Sequence, residues 1–383
     1  MLRTYEAFFL VSIKLSESST SHIWYIKGGI FCFFNHTANK KEFLFLKKRI
    51  WFNRWFSTAY HLIESIKNNA DGMEFEVFGT HPNKDTVYFQ ICDYHETEPV
   101  LESDAYIDFC IDFCKKHNID IFVPYHYALE ISGAINRFQD VGTKVLVSEN
   151  NKLMQTISHK GKLYDSLIDT DLKDLLPEYK IVETAEQFKE AYDKLIQNGK
   201  KVCMKPADGR GGEGFRVIRD SDSTIDELFG HITHKVSFRE VHKILAEVDR
   251  FEELMVMEYL PDYEYSIDCL AFNGQLLAAV PRKKVAGRVR GLENNADLIE
   301  IANKVNDIYK IPYVYNIQVK YSNGVPKLLE INPRMSGGLH ITCLSGINFP
   351  YLAIKLLLTG EADVPTPQFD ILATHVEKSV VLV

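Results

Sequence analysis

The pattern of apolar and polar positions changes at residue 48. From there to residue 148, short apolar runs alternate with longer segments whose apolar residues recur at helical spacing. The runs predict strands at 49–53, 75–79, 119–124 and 144–147, and the longer segments predict helices at 57–68, 105–117 and 128–140. This alternation predicts right-handed βαβ units and a mainly parallel sheet, as in a Rossmann-like domain. The turn at 53–57 has no glycine, so a dinucleotide pyrophosphate could not approach its backbone closely.

A different pattern follows, and we expect a second domain over residues 149–383. Its predicted helices lie at 152–168, 185–198, 223–254 and 291–309. Its predicted strands lie at 254–259, 263–272 and 276–284, followed by a strand pair at 313–330 that turns near Asn323-Gly324. The chain is therefore expected to be α/β, with α+β character overall.

Residues 1–47 differ from both domains. They contain aromatic clusters but no sustained strand or helix period, and they fit a signal peptide poorly. We expect this atypical extension to be dispensable. Two interpretations stay open: upstream sequence attached by a wrong start site, or a genuine, poorly ordered extension.

Composition narrows the classes of function. The 383 residues carry a formal net charge of −8, which argues against a protein held by nucleic-acid phosphates. No apolar run approaches the roughly 18 residues of a membrane helix, so no membrane partner is expected. The seven cysteines form no CxxC pair, which favours a reducing cytoplasm over a disulfide framework or a structural zinc site.

A glycine-rich segment lies between two apolar runs, at 202–204 and 215–218. The glycines that satisfy GxGxxG are Gly209, Gly211 and Gly214. The flanking runs predict strand, flap and strand, whereas a dinucleotide motif requires strand, turn and helix. The amides of such a flap can lie over a polyphosphate, and Lys205 at its start would add a positive charge. A mobile surface hairpin with a solvated lysine stays open as the alternative.

Polar side chains interrupt the last predicted strand pair. Glu330 and Asn332 are two residues apart on one strand, so their side chains share a face. A two-residue turn would place Gln318 opposite Leu329, whereas a three-residue turn at 323–325 would place it opposite Glu330. We predict the three-residue turn. It gathers three oxygen donors with one full charge, which suits Mg²⁺ completed by water and nucleotide phosphate.

Cationic side chains flank these positions. Arg334 follows the strand and is placed to fork onto a transferred phosphoryl group. A second group lies on a strand and its exit loop and comprises Arg282, Lys283, Lys284 and Arg288. A solvated face would explain this run, but in a chain of net charge −8 we favour a clamp for an anionic substrate carboxylate. We expect His340 to be a packed histidine rather than a substrate contact or a base.

Three segments together resemble the ATP-grasp superfamily, and most closely its carbamoyl-phosphate-synthetase-like carboxylate–amine ligases. They are Lys205 with its glycine flap, Met257 to Asp268, and Gln318 with Glu330 to Gly338. The resemblance implies an ATP-grasp fold over 149–383, preceded by a Rossmann-like pre-ATP-grasp domain at 48–148. It also implies a lid subdomain at about 180–257 and a metal and substrate subdomain at about 258–383.

The resemblance also implies roles for individual residues. The implied ligands of the ATP phosphates are Lys160, Lys205, Gly209, Arg210, Gly211, Gly212 and Gly214. Those of adenine are Glu258, Tyr259 and Leu260, and that of ribose is Glu264. The implied ligands of Mg²⁺, or of Mn²⁺ in its place, are Gln318, Glu330 and Asn332. The catalytic residue that the resemblance implies is Arg334, and the clamp predicted from the cationic run adds Arg282, Lys283 and Arg288 as catalytic candidates.

The implied function is ATP-dependent ligation. ATP would phosphorylate a carboxylate to an acyl phosphate with release of ADP, and an amine would then displace phosphate. The expected partners are a small-molecule carboxylate and an amine, and a homodimer is compatible with this reading. Two alternatives stay open: modification of a macromolecular carboxylate, and a non-catalytic nucleotide-binding module. No motif identifies the acid or the amine.

Overall fold

A computed structural model of the chain describes residues 47–207, 212–221, 225, 229 and 233–382, together with the backbone of 10–16, 19–24 and 33–34. Near the N-terminus, three short antiparallel strands form a sheet of their own: β1 (Leu10–Ser16), β2 (Ser19–Trp24) and β3 (Phe33–Phe34). That the first 47 residues are dispensable stays a prediction.

A five-stranded parallel sheet follows, with the strand order β6-β5-β4-β7-β8. Its strands are β4 (Lys48–Asn53), β5 (Phe75–His81), β6 (Tyr94–Thr97), β7 (Ile121–Pro124) and β8 (Lys144–Val145). Its helices are α1 (Ala59–Lys67), α2 (Ser103–His117), α3 (Ala128–Gly133) and α4 (Ile135–Gln139). The predicted parallel sheet is confirmed. The single helix predicted at 128–140 is wrong, because Ala134 leaves the helical region (φ −111°, ψ 13°) and divides it.

Two helices lead from this sheet to the rest of the chain. They are α5 (Asn151–Ser158) and α6 (Lys160–Asp165), and they replace the one helix predicted at 152–168. The break lies at His159, whose backbone is extended (φ −110°, ψ 117°). The ring of His159 accepts a hydrogen bond from the amide of Lys162 at 3.2 Å and so caps α6. As a result, a new helix begins at Lys160.

The second sheet has the order β12-β11-β10-β13-β9 and is antiparallel except between β11 and β12. Its strands are β9 (Tyr179–Val182), β10 (Val202–Pro206), β11 (Arg216–Arg219), β12 (Lys235–Ser237) and β13 (Leu254–Glu258), with helices α7 (Ala185–Gln197) and α8 (Phe238–Leu245). Strands β10 and β11 confirm the strands predicted on both sides of the glycine segment. The helix predicted at 223–254 is wrong at 235–237, which form β12, and after residue 245; between them α8 is helical and begins where Ser237 caps the amide of Glu240 at 3.2 Å.

The third sheet is antiparallel and has the order β18-β17-β14-β15-β16-β19. Its strands are β14 (Glu264–Phe272), β15 (Gln275–Ala286), β16 (Val289–Leu292), β17 (Tyr313–Ser322), β18 (Val325–Asn332) and β19 (Ile371–Ala373). The helices of this region are α9 (Ala296–Tyr309), α10 (Leu339–Thr342) and α11 (Phe349–Thr359). The helix predicted from residue 291 is wrong at its start. Asn295 caps α9 through the amide of Leu298 at 3.1 Å, which leaves the preceding residues to β16.

The parallel sheet and the six-stranded sheet share one hydrophobic core. Phe52 of β4, Val280 of β15 and Phe349 of α11 belong to a single buried cluster. A polar contact links the same two layers, because the Thr58 hydroxyl donates to the carbonyl of Gly337 at 3.0 Å. The loop after β4 is therefore held against the turn that follows β18.

Among the residues that the structure describes, no single helix is long and apolar enough to cross a membrane. The pair Leu339–Ser345 and Phe349–Thr359 has the required length and composition only when taken together, across an 88° bend.

Candidate active site

The last strand pair places three oxygen-bearing side chains on one face of the six-stranded sheet. Gln318 of β17 lies opposite Glu330 of β18, and Asn332 follows Glu330 on the same face. The sequence predicted this grouping, and the register of the two strands provides it.

The predicted turn, in contrast, is wrong. The turn has two residues, Asn323-Gly324, with φ of 51° and 77°, as tight hairpin turns prefer. A two-residue turn alone would turn Gln318 away from Glu330. A β-bulge restores the pairing, because the register shifts between Gln318 and Val319 and leaves Leu329 as the extra residue of β18.

Glu330 is the one carboxylate of the three side chains. The Nζ atom of Lys160 lies 3.5 Å from its Oε2 atom, and the side-chain amide of Asn332 donates to its Oε1 atom at 3.0 Å. Burial on its own raises the pKa of Glu330. The charge of Lys160, the Asn332 hydrogen bond and the charge of Lys205 outweigh burial, so the pKa lies below its ordinary value. The carboxylate is therefore ionised at neutral pH.

Lys205 lies on β10, at the start of the glycine segment. Burial lowers the pKa of Lys205 to about 8, and repulsion from Lys160 adds to this, whereas attraction to Glu330 opposes it. Two lysines thus face a single carboxylate. This excess of positive charge in a poorly solvated place suits a multiply charged anion, such as a phosphate chain.

A cavity of about 330 Å³ lies between the second sheet and the six-stranded sheet. It is lined by Cys203, Lys205, Gly212, Phe215, Met257, Glu258, Tyr259, Leu260, Glu264, Lys284, Gln318, Lys320, Leu329 and Glu330. Apolar walls with a few convergent polar groups are typical of nucleotide and cofactor sites. The structure therefore brings together predicted residues for adenine, ribose, phosphate and metal.

The predicted adenine residues lie where β13 leaves the second sheet. The carboxylate of Glu258 accepts from the amide of Glu178 at 3.0 Å and from Lys200 at 2.7 Å. The amide of Tyr259 donates to the carbonyl of Lys201 at 2.6 Å. These contacts fix the backbone at the end of β13, beside the cavity.

A second cavity, of about 440 Å³, lies on the other side of Glu330. It is lined by Tyr125, Ala128, Leu129, Glu130, Met154, Gln155, Ile157, Ser158, His159, Lys160, Lys162, Glu330, Ile331, Asn332, Pro333 and Arg334. The guanidinium of Arg334 donates to the side-chain oxygen of Asn332 at 3.3 Å and to the carbonyl of Met335 at 3.0 Å. Glu330 lines both cavities, so they meet at the predicted metal residues.

The glycine segment is described only in part. Gly209, Arg210 and Gly211 lie outside the described residues, and Gly212 lines the first cavity. Gly214 has φ of 66°, and a Cβ atom there would lie 2.6 Å from the Cδ atom of Pro206. Glycine is therefore required where the segment returns past the end of β10.

The predicted carboxylate clamp does not form as a unit, because alternate residues of β15 point to opposite faces of the sheet. Arg282 faces the site but is 4% exposed, and its guanidinium donates to Asp268 at 3.2 and 3.0 Å. It also donates to the hydroxyls of Thr342 at 2.9 Å and Ser336 at 3.1 Å. A Cβ atom at Gly338 would lie 2.3 Å from this guanidinium, which explains the glycine. Arg282 is thus bound within the protein.

The structure does not bring Lys283 to the site. Its ammonium lies 4.7 Å from the ring centroid of Tyr263 and 3.5 Å from Glu293, on the opposite face of the sheet. Arg288 lies in the exposed turn after β15, where it pairs with Glu377. The predicted clamp treats the residues of β15 and of the turn after it as one surface, whereas their side chains point in different directions.

Arg290 is a cation on the same sheet face as Lys284 that the sequence pattern did not single out, and its guanidinium donates to the carbonyls of Gly287 and Val289, both at 2.9 Å. Arg290 lies opposite Lys284 where β16 pairs with β15. The ammonium of Lys284 donates to the carboxylate of Glu264, and both residues line the first cavity. Burial and the charge of Arg282 lower the pKa of Arg290, whereas Glu264 opposes this. The helix predicted from residue 291 overlaps the end of β16, and no strand is predicted at 289–292, so the alternation that brings Arg290 to the face of Lys284 is not part of the prediction.

His340 packs as predicted. Its ring stacks on that of His61 with centroids 4.8 Å apart, and the ring of His375 lies 5.6 Å away on centroid distance. Burial, followed by the two histidine neighbours, lowers the pKa of His340 to about 4. The imidazole is therefore neutral at pH 7.

The donor set bears on which metal fits. Within the described ranges, no group of three or more His, Cys, Asp or Glu side chains could hold a metal ion. The set Gln318, Glu330 and Asn332 offers two amides and one carboxylate on one sheet face. These oxygen donors fit Mg²⁺ that draws its other ligands from water and a nucleotide, as opposed to a cage made only of protein.

The sequence of this chain matches a family model and is similar to several known proteins. A family model described as an ATP-grasp in the biosynthetic pathway with Ter operon matches residues 250–379. Human carnosine synthase 1 is 26% identical over 148 residues, which cover 35% of this chain and 18% of that protein. The arginine-specific large chain of carbamoyl phosphate synthase from Bacillus subtilis (strain 168) is 23% identical over 298 residues, 75% of this chain and 27% of that protein. The chain thus spans only part of the length of these relatives.

Solved structures extend the similarity to most of the chain. The ADP complex of N5-carboxyaminoimidazole ribonucleotide synthetase has a TM-score of 0.60 at 12% identity and covers 86% of this chain and 81% of its own. The chain has the ATP-grasp fold. An L-amino acid ligase from Bacillus licheniformis has a TM-score of 0.55 at 12% identity, covering 82% of this chain and 74% of its own. The predicted ATP-grasp fold with an α/β domain before it is confirmed.

Proposed function

We propose that this chain is an ATP-dependent ligase that joins a carboxylate to an amine. A carboxylate oxygen attacks the γ-phosphorus of ATP, the bond to ADP breaks, and an acyl phosphate forms. The amine then attacks the acyl carbon, inorganic phosphate leaves, and the amine gives up its proton. No covalent bond to the protein is needed.

The position of Glu330 carries the proposal. It lines both the 330 Å³ cavity and the 440 Å³ cavity, and it lies beside Lys160 and Arg334. ATP-grasp chemistry needs such a junction, because the γ-phosphoryl group must leave one bound substrate for another. Two cavities that meet at an anion-binding centre suit an in-line transfer between two positioned molecules.

The residues around the junction divide the work. Lys160 and Lys205 neutralise the phosphates, and Glu258, Tyr259 and Leu260 line the base, with Glu264 at the ribose. Gln318, Glu330 and Asn332 would hold Mg²⁺, which would supply positive charge against the phosphates. Arg334, which lines the second cavity, stabilises charge on the transferred group. Gly212, which lines the first cavity, helps to exclude water from the acyl phosphate.

The names of the similar proteins support this class of reaction. Carnosine synthase and L-amino acid ligase are named for joining reactions, and the N5-carboxyaminoimidazole ribonucleotide synthetase structure contains ADP. For this chain we propose a small-molecule carboxylate and an amine as substrates, with Mg²⁺ as cofactor. A cytoplasmic location and a homodimer are part of the same proposal; the six described cysteines, all free thiols, are compatible with a reducing compartment.

ADP release tests the proposal. The protein is incubated with Mg²⁺ and ATP against pools of amino acids and small carboxylates, and ADP is measured by a coupled assay. We expect release that depends on one pool and falls at least about 100-fold in Glu330→Ala, since the metal and phosphate centre is then lost. Product mass then identifies the acid and the amine.

Two results would contradict the proposal. Substrate-dependent release that survives in Glu330→Ala would remove the metal assignment. Tight ATP binding without release in any pool would favour a macromolecular carboxylate or a nucleotide-binding module, and incubation with protein substrates would separate these two.

A further inference from the structure

The parallel-sheet domain sends one aromatic side chain into the second cavity. Tyr125 follows β7, and its ring centroid lies 5.2 Å from the guanidinium carbon of Arg334. Both residues line the 440 Å³ cavity next to Glu330. The distance lies within the range over which an aromatic face attracts a cation.

We propose that Tyr125 is a positioning residue for Arg334, a role that rests on the proposed phosphoryl transfer. The hydrogen bonds of Arg334 to Asn332 and Met335 involve neighbours in its own segment of chain. Such bonds move together with the segment. The ring of Tyr125 belongs to a different layer of the molecule and thus fixes the guanidinium relative to the rest of the fold.

The ring itself is held firmly. The amide of Tyr125 donates to the side-chain oxygen of Asn53 at 2.7 Å, and Asn53 is fully buried. The rings of Trp55 and Phe56 each lie with centroids 5.3 Å from that of Tyr125. Trp55 is anchored in turn, because its indole nitrogen donates to the carbonyl of Val123 at 2.9 Å. An aromatic ring packed in this way has few alternative rotamers.

This arrangement gives the parallel-sheet domain a direct part in the chemistry. A guanidinium that stays in place before the substrates arrive loses less freedom when it meets a phosphoryl group. We expect the ring, and not the hydroxyl, to be the essential part, because the cation lies over the aromatic face.

The test measures how tightly Mg-ADP binds with and without aluminium fluoride, which occupies the place of a transferring phosphoryl group. We compare the wild type, Tyr125→Phe, Tyr125→Leu and Arg334→Ala by isothermal titration, with thermal unfolding as a check on folding. Aluminium fluoride should tighten ADP binding in the wild type and in Tyr125→Phe. In Tyr125→Leu we expect that tightening to fall roughly fivefold to tenfold, with ADP affinity alone unchanged.

A control on the same loop is available. Tyr127 packs on Tyr106 and His126, with ring centroids 5.2 and 4.3 Å apart. Tyr127→Leu should therefore leave the tightening unchanged.

The outcomes separate the two proposals. Full tightening in Tyr125→Leu, or an equal loss in Tyr125→Phe, would overturn the role of the Tyr125 ring while leaving the ligase intact. No tightening in the folded wild type, together with no ADP release from any pool, would overturn the ligase and with it the role of Tyr125.

Discussion

Two buried groups of charges lie on the same face of the six-stranded sheet, yet they differ in their balance of charge and in whether they border a cavity. In the first, Asp268 is fully buried and receives two hydrogen bonds from Arg282. It also accepts from Thr342 at 2.6 Å, Ser336 at 2.8 Å and Asn316 at 2.7 Å. Its oxygens have no further capacity for a ligand.

In the second group, Lys160 and Lys205 share the single carboxylate of Glu330 beside two cavities. The positive charge exceeds the negative charge, and the group opens onto space that a ligand can fill. The comparison teaches that burial and charge alone do not mark a functional residue. A group whose charges balance and whose acceptors are filled holds strands together, whereas a group with excess positive charge beside a cavity is suited to bind an anion.

The largest expected effect is a difference in the free energy of unfolding between variants of the two groups. Asp268→Asn removes the charge that compensates Arg282 in a closed environment, and should lower the free energy of unfolding by about 3–5 kcal/mol. Glu330→Gln should cost less, because water in the cavities can solvate the two lysines. Urea unfolding followed by circular dichroism measures both variants, and equal losses would contradict the distinction.

The next effect is a loss of Mg-ATP affinity, compared between a variant of a lysine in the first cavity and a variant of a lysine on the opposite face of the sheet. Lys205→Met should weaken Mg-ATP binding by roughly 10-fold to 100-fold, since it removes a charged hydrogen-bond donor to phosphate. Lys283→Met is the matched control, because this lysine lies against Tyr263 on the opposite face of the six-stranded sheet. Isothermal titration decides the question. An unchanged affinity in Lys205→Met, or an equal loss in Lys283→Met, would refute the assignment.

The smallest effect is a pH dependence. Because burial and Lys160 lower the pKa of Lys205 to about 8, the free protein loses this ammonium charge as the pH rises through 8. Binding of Mg-ATP must then take up a proton, so the dissociation constant should rise roughly tenfold between pH 7 and pH 9. Lys205→Arg stays charged and should flatten this slope. A flat wild-type profile would show that Lys205 is not the group that titrates.

Much of the fold follows from local pattern. The alternation of apolar runs and helical periods predicts the parallel sheet, and a flap between two strands separates this chain from dinucleotide-binding proteins. The predicted helix boundaries are wrong where a capping side chain decides the residue at which the helix begins. His159, Ser237 and Asn295 each begin a helix that the periodicity placed elsewhere.

The sequence by itself determined that Glu330 and Asn332 share a face, because strand alternation is a property of the backbone. It also marked Lys205 and Arg334, through the apolar runs that precede them. Only the tertiary structure decided that Gln318 joins them, because the bulge at Leu329 corrects the register after a two-residue turn.

The tertiary structure also decided where each side chain of the cationic run at 282–288 points and which partner it contacts. Arg282 is bound to Asp268, Lys283 points to the opposite face, and Arg290 arrives from a strand that the periodicity did not reveal. The physical reason is that a side chain's charge is local information, whereas its partner depends on which strands pair and in what register.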